Sequence, residues 1–494
     1  MLPSVIIPLN IIRKGDFMKR TKIVATVGPA CKPKPGNAKH SPLEALIRAG
    51  VDIFRINASH TTPDQLRQWI LAIRKASRSA GSQTGILVDL QGPRIRTGKL
   101  SGSKPVLLKA GDEIVLEAGM REGTFEVLTT PCRQLPKMLK AGDRILLDNG
   151  LMALEVLRIS MNRISCRVKT GGLLGENKGM NLPDAPVTLP TLGDKDHASL
   201  KIAAQQEVDF IALSFVRSAK DVLTVKRALK KYGSAIPIVA KIEKPAAVER
   251  LAEILKVTDA LMVARGDLGI EMGVEKVPMV QKQLIREANR RQIPVITATQ
   301  MLESMMTQVY PTRAEASDIA NAVLDGTDAV MLSGETANGQ YPLLAVQTMS
   351  RIIEECERAA AAPAYDGDHE RLSRRDLVLH AITDAARDAA DDLAAKALVV
   401  FTRSGKTAVF TSKLRPRSPI IALTPFPATA RRLQLLHGVV PVLMPSVRHT
   451  DAMIRAGCRV LLSTHRLRRN DCVVLVSGKN DTGGSDHMVK IHRI

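Results

Sequence analysis

Glu243 and Asp267 each follow the end of a short apolar run, Ile238 to Ile242 and Ala260 to Ala264, and Lys241 lies two residues before Glu243. Such runs are the pattern of buried parallel strands that surface and hand their connections to chemistry. The two acids stand 24 residues apart, about one strand–helix–strand unit, so neighbouring strands can deliver both to one rim. Two hard oxygen ligands suit Mg2+ or Mn2+, whose remaining octahedral positions take water and substrate oxygens. Strand alternation puts Lys241 on the face of Glu243, where its ammonium can meet charge developing on a transferred phosphoryl group. Taken singly, each acid reads as a surface carboxylate or helix cap, and Lys241 as the partner of an inward acid. Their coincidence at successive strand ends is what favours chemistry.

Further polar groups fall at equivalent positions. Arg55 and Arg96, with Asn57, Ser59 and Asp89, form the expected rim of the second and third strands, and an arginine fork suits phosphate because it binds two oxygens at once. Thr297 to Gln300 ends the seventh strand and Ser333 to Thr336 the eighth, with Thr299 the stronger functional candidate and turn or cap duty the alternative for both. The stretch Ser404-Gly405-Lys406-Thr407 is not a Walker A loop, because Val400 stands where that motif needs glycine. A strand ending in Thr402, a small polar loop and a helix start still form an anion site, one better suited to regulation than catalysis.

The elements that must position these groups follow a βα rhythm. Strands are expected at Thr21 to Val27, Val51 to Ile56, Gly85 to Leu90, Phe210 to Leu213, Ile238 to Ile242, Ala260 to Ala264, Pro294 to Ala298 and Ala329 to Leu332. Eight such units predict a (β/α)8 TIM barrel, with an open doubly wound sheet as the alternative. Between Lys99 and Val187 the texture changes to short β-branched pieces with Gly-Asp turns, which predicts a small β-barrel insertion. After a linker at 360–368, alternating helices and strands predict a C-terminal α/β domain. The division is therefore 1–17 as an N-terminal extension, 18–98 and 188–360 as the barrel, 99–187 as the insertion, and 369–494 as the last domain.

Composition narrows the function. The 494 residues carry a net charge of +22, which favours anionic partners, but aromatics are only 3%, scarce for the stacking platforms of a single-strand binder. The basic residues are scattered, so no nucleic acid is expected. The six cysteines are widely spaced without metal-ligand pattern and read as reduced thiols of a cytoplasmic protein, and no apolar run reaches membrane-spanning length.

The chain resembles the pyruvate kinases. The matching stretches are TKIVATVGPA, FRINASH, DLQGPRIRTG, NKGMNLP, KIEKP, MVARGDLG, ITATQMLESM and the long run from Pro311 to Pro342, in family order. The resemblance implies phosphoryl transfer from phosphoenolpyruvate to ADP, giving pyruvate and ATP, with Mg2+ held by Glu243 and Asp267 and Lys241 stabilising the transferring group. It also implies that Gly266, Asp267 and Thr299 contact substrate, Arg55 and Arg96 the phosphates, and His60, Arg96 and Lys178 the nucleotide. The insertion becomes a lid that excludes water; Thr299, Ser333 or a water path delivers the proton to the enolate. The family's homotetramer and cytoplasmic location are implied as well. A monovalent-ion site would fall at Asn57, Ser59 and Asp89, but Leu90 lacks the expected hydroxyl and Arg94 brings a cation. K+ is therefore expected to be dispensable, with Arg94 in its place. Thr402, Ser404, Gly405, Lys406 and Thr407 match the effector-phosphate loop, for a sugar monophosphate or AMP. Near the end, Gly484-Ser485-Asp486-His487 replaces the family's Gly-Thr-Thr-Asn, and Asp486 would repel an anion. The rivals are a barrel lyase or mutase using the same Mg2+-enolate site, separated by nucleotide dependence, and a nucleic-acid-binding protein, separated by salt-sensitive RNA binding without turnover.

Overall fold

The computed structural model describes residues 19–32, 41–185, 188–359, 372–447, 449–478 and 487–494; the N-terminal extension at 1–17, the expected linker at 360–368 and residues 484–486 lie outside them. Eight strands, Lys22–Thr26, Ile53–Asn57, Gly85–Asp89, Phe210–Leu213, Ile238–Ile242, Ala260–Ala264, Val295–Ala298 and Ala329–Leu332, pair in parallel. The first closes on the eighth with Lys22 opposite Ala329, which excludes the open sheet. Both faces of these strands are buried, so they read as continuous apolar runs. Ile23, Ile56 and Val263 pack outward under the helices, while Val24, Leu87, Val239, Met262 and Ile296 fill the interior. The period of two then aims Lys241 inward, above Val239. Local caps fix where the crossover helices begin: Thr62 and Gln65 form a reciprocal capping box at the head of Pro63–Ser79, as do Thr312 and Glu315 at the head of Arg313–Leu324.

The insertion is a seven-stranded sheet in the order Ile95–Arg96, Gly179–Asn181, Arg144–Leu147, Met152–Ser160, Arg163–Thr170, Glu113–Ala118, Val127–Thr130. Its two edges meet, because Gly98 N–H donates to the Thr129 carbonyl at 2.6 Å and the Thr130 hydroxyl donates to the Arg96 carbonyl at 2.7 Å. The sheet thus curls around its own core of Leu116, Leu128, Ile145, Leu154 and Ile164. The first two strands in that order lead directly back to the barrel mouth.

The C-terminal domain is a five-stranded sheet in the order Val439–Leu443, Ile420–Thr424, Ala397–Phe401, Cys472–Ser477, Met488–Arg493. It packs beneath the amino ends of the barrel strands. Leu435 joins the interior apolar layer of the barrel from below. Around it, Lys413 pairs with Asp328 at 2.5 Å with both side chains fully buried, Arg415 lies 3.5 Å from the same acid, and Arg431 pairs with Asp209 at 2.7 Å.

Three elements differ from expectation. Met488–Arg493 adds an antiparallel edge strand, Leu135–Met138 forms a short helix within the insertion, and Arg265–Met272 is helical from the first residue after its strand, where a loop was expected. Among the described residues no helix is long and apolar enough to cross a membrane. All six cysteines are free; Cys31 and Cys166 are buried, the other four half-buried, and burial pushes the Cys31 thiol up to about 11.

Candidate active site

The carboxyl ends of the second to sixth strands converge on Lys241. Its ammonium lies 2.9 Å from Glu243 Oε1 and 3.3 Å from Asp89 Oδ2, and it donates to the Ser214 hydroxyl at 2.7 Å. Burial alone would depress the Lys241 pKa, but Asp89 and Glu243 outweigh it and hold the lysine charged, above its ordinary value. Asp89 is itself buried, and Lys241 and Arg55 keep its carboxyl below the usual range despite desolvation. Arg55 reaches it at 2.7 Å through Nε and donates from Nη1 to the Thr26 hydroxyl at 3.1 Å.

Glu243 is 1% exposed and accepts from the Phe215 N–H. Burial pushes its carboxyl up to about 7, against Lys241 and with the added repulsion of Asp267. A pair of carboxylates that repel each other at a barrel mouth is a donor set that a divalent cation relieves, and Mg2+ fits it if other oxygens complete the shell. No cluster of three or more His, Cys, Asp or Glu side chains suited to a metal exists among the described residues.

Asp267 and Gly266 lie in the first turn of Arg265–Met272, so they present a helix N-terminus to the mouth. Gly266 N–H donates to the Thr299 hydroxyl at 2.8 Å. Thr299 and Gln300 both adopt left-handed backbone angles, φ +70° and +55°, which are costly for such residues. Arg265 holds that turn in place: its guanidinium donates to the Ala298, Thr299 and Gln300 carbonyls and pairs with Asp318 at 2.6 Å. Ser333 closes the rim at the eighth strand, with a buried hydroxyl that has no hydrogen-bond partner among the described residues.

A second group of expected residues gathers between mouth and lid. Ser59, His60, Arg94, Arg96, Asn177 and Lys178 line a cleft of about 640 Å3. Arg96 reaches it from the edge strand of the inserted sheet, not from the rim of the third barrel strand where the sequence reading put it, because the barrel strand ends at Asp89. It donates to the Asn177 carbonyl at 3.1 Å, and Lys178 pairs with Asp148 at 3.0 Å. His60 is held below its ordinary pKa by desolvation and by Arg96, Lys195, Arg94 and Arg55, so it faces the cleft as a neutral imidazole.

Arg94 takes its own path. It donates to Asn149 of the lid at 3.1 Å, stands 4.0 Å from Asp267 and lies over the Phe215 ring at 5.9 Å. The cations beside Asp89 are Arg55 and Lys241 instead. Asn57 Oδ1 accepts from the Ser59 N–H at 3.1 Å. In the C-terminal domain, Gly405 at φ +95° donates its N–H to the Thr402 hydroxyl, Lys406 N–H donates weakly to Ser404 Oγ, and the Lys406 ammonium is paired with Asp376. Thr407 is buried within the helix that follows.

Three members of the site escaped the sequence reading. Ser214 bonds both Lys241 and Asp89, Lys195 donates to the Ser59 carbonyl at 2.7 Å beside His60 and Arg96, and Glu271 is buried behind Asp267. Lys195 carried a signal, a cation in the first turn of a helix after a Gly cap; Ser214 and Glu271 gain their meaning only from neighbours remote in sequence.

Comparison with known proteins covers nearly the whole chain. Residues 18–346 match the family model described as pyruvate kinase, barrel domain, and residues 380–492 match pyruvate kinase, alpha/beta domain. A pyruvate kinase of Mycobacterium tuberculosis is 42% identical over 478 residues, covering 96% of this chain and 98% of its own. One from Staphylococcus epidermidis is 41% identical over 481 residues, 97% of this chain and 81% of its own. The crystal structure of a pyruvate kinase from Cryptosporidium parvum superposes with a TM-score of 0.88 at 36% identity, covering 96% of both chains.

Proposed function

The chain belongs to the pyruvate kinase family, and from that membership we propose how its residues carry the family's transfer of a phosphoryl group from phosphoenolpyruvate to ADP. The observation that carries the assignment of roles is the position of Lys241, charged, inward and flanked by Asp89 and Glu243, facing the helix start at Gly266 and Asp267 that is hydrogen-bonded to Thr299. Arg55 and Lys241 bind the oxygens of the phosphoryl group, and Lys241 meets the charge that builds during transfer. The family generally uses Mg2+, for which Glu243 and Asp267 are the ligands; bound there, it supplies Lewis acidity at the phosphoryl oxygens. Thr299 and the bare backbone at Gly266 seat the enol-acid part of the substrate, where the missing side chain permits close approach. His60, Arg96 and Lys178 take the nucleotide in the cleft below the lid, and lid closure excludes the water that would otherwise accept the phosphoryl group.

The K+ requirement is proposed to be absent. Supporting this, Leu90 is buried, Asn57 Oδ1 and both oxygens of Asp89 already have protein partners, and Arg94 adds a cation between the mouth and the lid. The 18–98 and 188–360 segments are read as the catalytic barrel, 99–187 as its lid and 369–494 as a regulatory domain. There the Thr402 to Thr407 loop takes a sugar monophosphate or AMP once Lys406 is released from Asp376. A cytoplasmic homotetramer completes the reading, which light scattering on the purified protein checks.

A lactate-dehydrogenase-coupled assay with phosphoenolpyruvate, ADP and Mg2+ tests the function. ADP-dependent pyruvate release unaffected by K+ is expected. Pyruvate release without nucleotide would point to a lyase, and strict K+ activation would return Asn57, Ser59 and Asp89 to the role of ion ligands.

A further inference from the structure

Glu271 is a buried carboxylate that the phosphoryl-transfer reading leaves without a task. Its residue is 5% exposed, and its Oε1 accepts from Asn181 Nδ2 at 2.8 Å and from the Lys244 ammonium. Its Oε2 is buried with no hydrogen-bond partner among the described residues. A buried carboxylate that spends one oxygen on two donors and leaves the other bare is poorly arranged for stability alone.

The three segments it joins are those that the reaction must bring together. Lys244 directly follows Glu243 and caps the helix Pro245–Glu249. Glu271 lies four residues beyond Asp267 on the single helix Arg265–Met272, so moving its end swings the other. Asn181 ends the strand Gly179–Asn181, which pairs with Ile95–Arg96 and carries the chain back from the lid just after Lys178. One carboxylate therefore ties both carboxylate-bearing connections of the barrel to the return strand of the lid. A small cleft of about 20 Å3, lined by Arg94, Asn181, Arg217 and Lys244, lies beside this junction.

We propose that Glu271 is a positioning residue: through Lys244 and Asn181 it sets the relation of Glu243 to Asp267 and makes it depend on the seating of the lid. This rests on the reading of Glu243 and Asp267 as metal ligands. The mechanism is geometric, since a carboxylate oriented by outer partners holds a cation in a defined place, and loss of such partners typically costs about 10- to 100-fold in metal affinity or activity.

Mn2+ binding to the full chain without substrates, followed by the electron paramagnetic resonance of free Mn2+, gives a readout independent of turnover. Glu271→Gln keeps the shape and the accepting oxygen but removes the charge. It is expected to weaken Mn2+ binding about 10-fold and to lower kcat by a similar factor, with KM for phosphoenolpyruvate changed less than about 3-fold. Asn181→Ala, which frees only the lid strand and leaves the ion pair intact, should raise KM for ADP about 5-fold and weaken Mn2+ binding about 3-fold, less than Glu271→Gln does. Lys244→Met and Glu271→Gln should be non-additive in Mn2+ affinity. Wild-type Mn2+ affinity and kcat in Glu271→Gln, or a lowered melting temperature with unchanged kinetics per folded molecule, would overturn the proposal. If Glu271→Gln does not fold, an unchanged KM for ADP in Asn181→Ala overturns it. Were Mn2+ binding indifferent to both Glu243→Gln and Asp267→Asn, the ligand assignment itself would fall and this inference with it, whereas an inert Glu271→Gln beside sensitive ligand variants sinks the inference alone.

Discussion

At the scale of single residues, the site works by balancing charges that burial would otherwise neutralise. Lys241 stays protonated because Asp89 and Glu243 compensate its desolvation; replacing it with Met should lower kcat per folded molecule by about 10^2- to 10^3-fold, and should also lower the urea midpoint because Asp89 and Glu243 lose their buried cation. Gly266 offers a cleaner separation of fold from function. A Cβ there would sit 3.4 Å from Thr299 Oγ1, an ordinary contact, and the position is helical. Gly266→Ala should therefore leave the melting temperature unchanged or slightly raised, by up to about 1 kcal/mol of helix propensity. Its kcat/KM for phosphoenolpyruvate should nevertheless fall, since the space it fills belongs to substrate; undiminished kcat/KM would place the substrate elsewhere. Arg265, the cation of the MVARGDLG stretch, turns within its own chain to brace the left-handed turn at Thr299.

At the scale of elements, what the sequence made legible depended on run length and period. The eight barrel strands are four or five residues of continuous apolar character with helices between, and their boundaries fell within two residues of expectation. The helix Pro63–Ser79 is legible too, because its capping box and its Leu66, Ile70, Ile73 stripe mark both its start and its face. Pieces of two or three residues such as Ile95–Arg96 and Gly179–Asn181 have no period to detect, and that is why Arg96 was assigned to the wrong rim. The edge strand Met488–Arg493 alternates with charges and is half open to solvent, so it resembled tail. Site residues at strand ends were readable because the barrel puts chemistry there; Ser214, Lys195 and Glu271 were not, since contacts across the rim define them. Packing between elements gives a further test. A Cβ on Gly28 would lie 2.5 Å from the Ala337 carbonyl oxygen, where the end of the first strand meets the helix after the eighth. Gly28→Ala should cost about 1–3 kcal/mol in urea unfolding, and an unchanged midpoint would show that this closure of the barrel is loose.

At the scale of the whole molecule, the C-terminal domain and the barrel share buried charge. Lys413→Met would strand Asp328, fully buried and left with the Val295 N–H and Arg415 at 3.5 Å, and should cost about 3–5 kcal/mol. The same interface predicts acid sensitivity. Glu357 accepts from the backbone and hydroxyl of Thr21, and His437 lies 3.6 Å away. Burial, reinforced by Arg415, depresses the His437 pKa to about 3. Below the ordinary histidine value of 6.5 the unfolded chain takes up a proton that folded His437 refuses. Stability therefore falls on acidification from about pH 6.5 towards pH 4, by about 1.4 kcal/mol per pH unit at most from this group. Glu357, depressed to about 2, adds a loss that begins below its unfolded value near 4.5. His437→Gln should flatten the upper part of that decline in a urea titration at several pH values.

Leu435 in the floor of the barrel carries a consequence for how the chain can be divided. A surface that completes another domain's interior and shares its buried ions is the kind of surface found between obligate subunits. Cut between Ala359 and Ser373, the chain should behave as two fragments that recognise each other: co-expressed, they copurify and regain activity, whereas the barrel fragment alone aggregates.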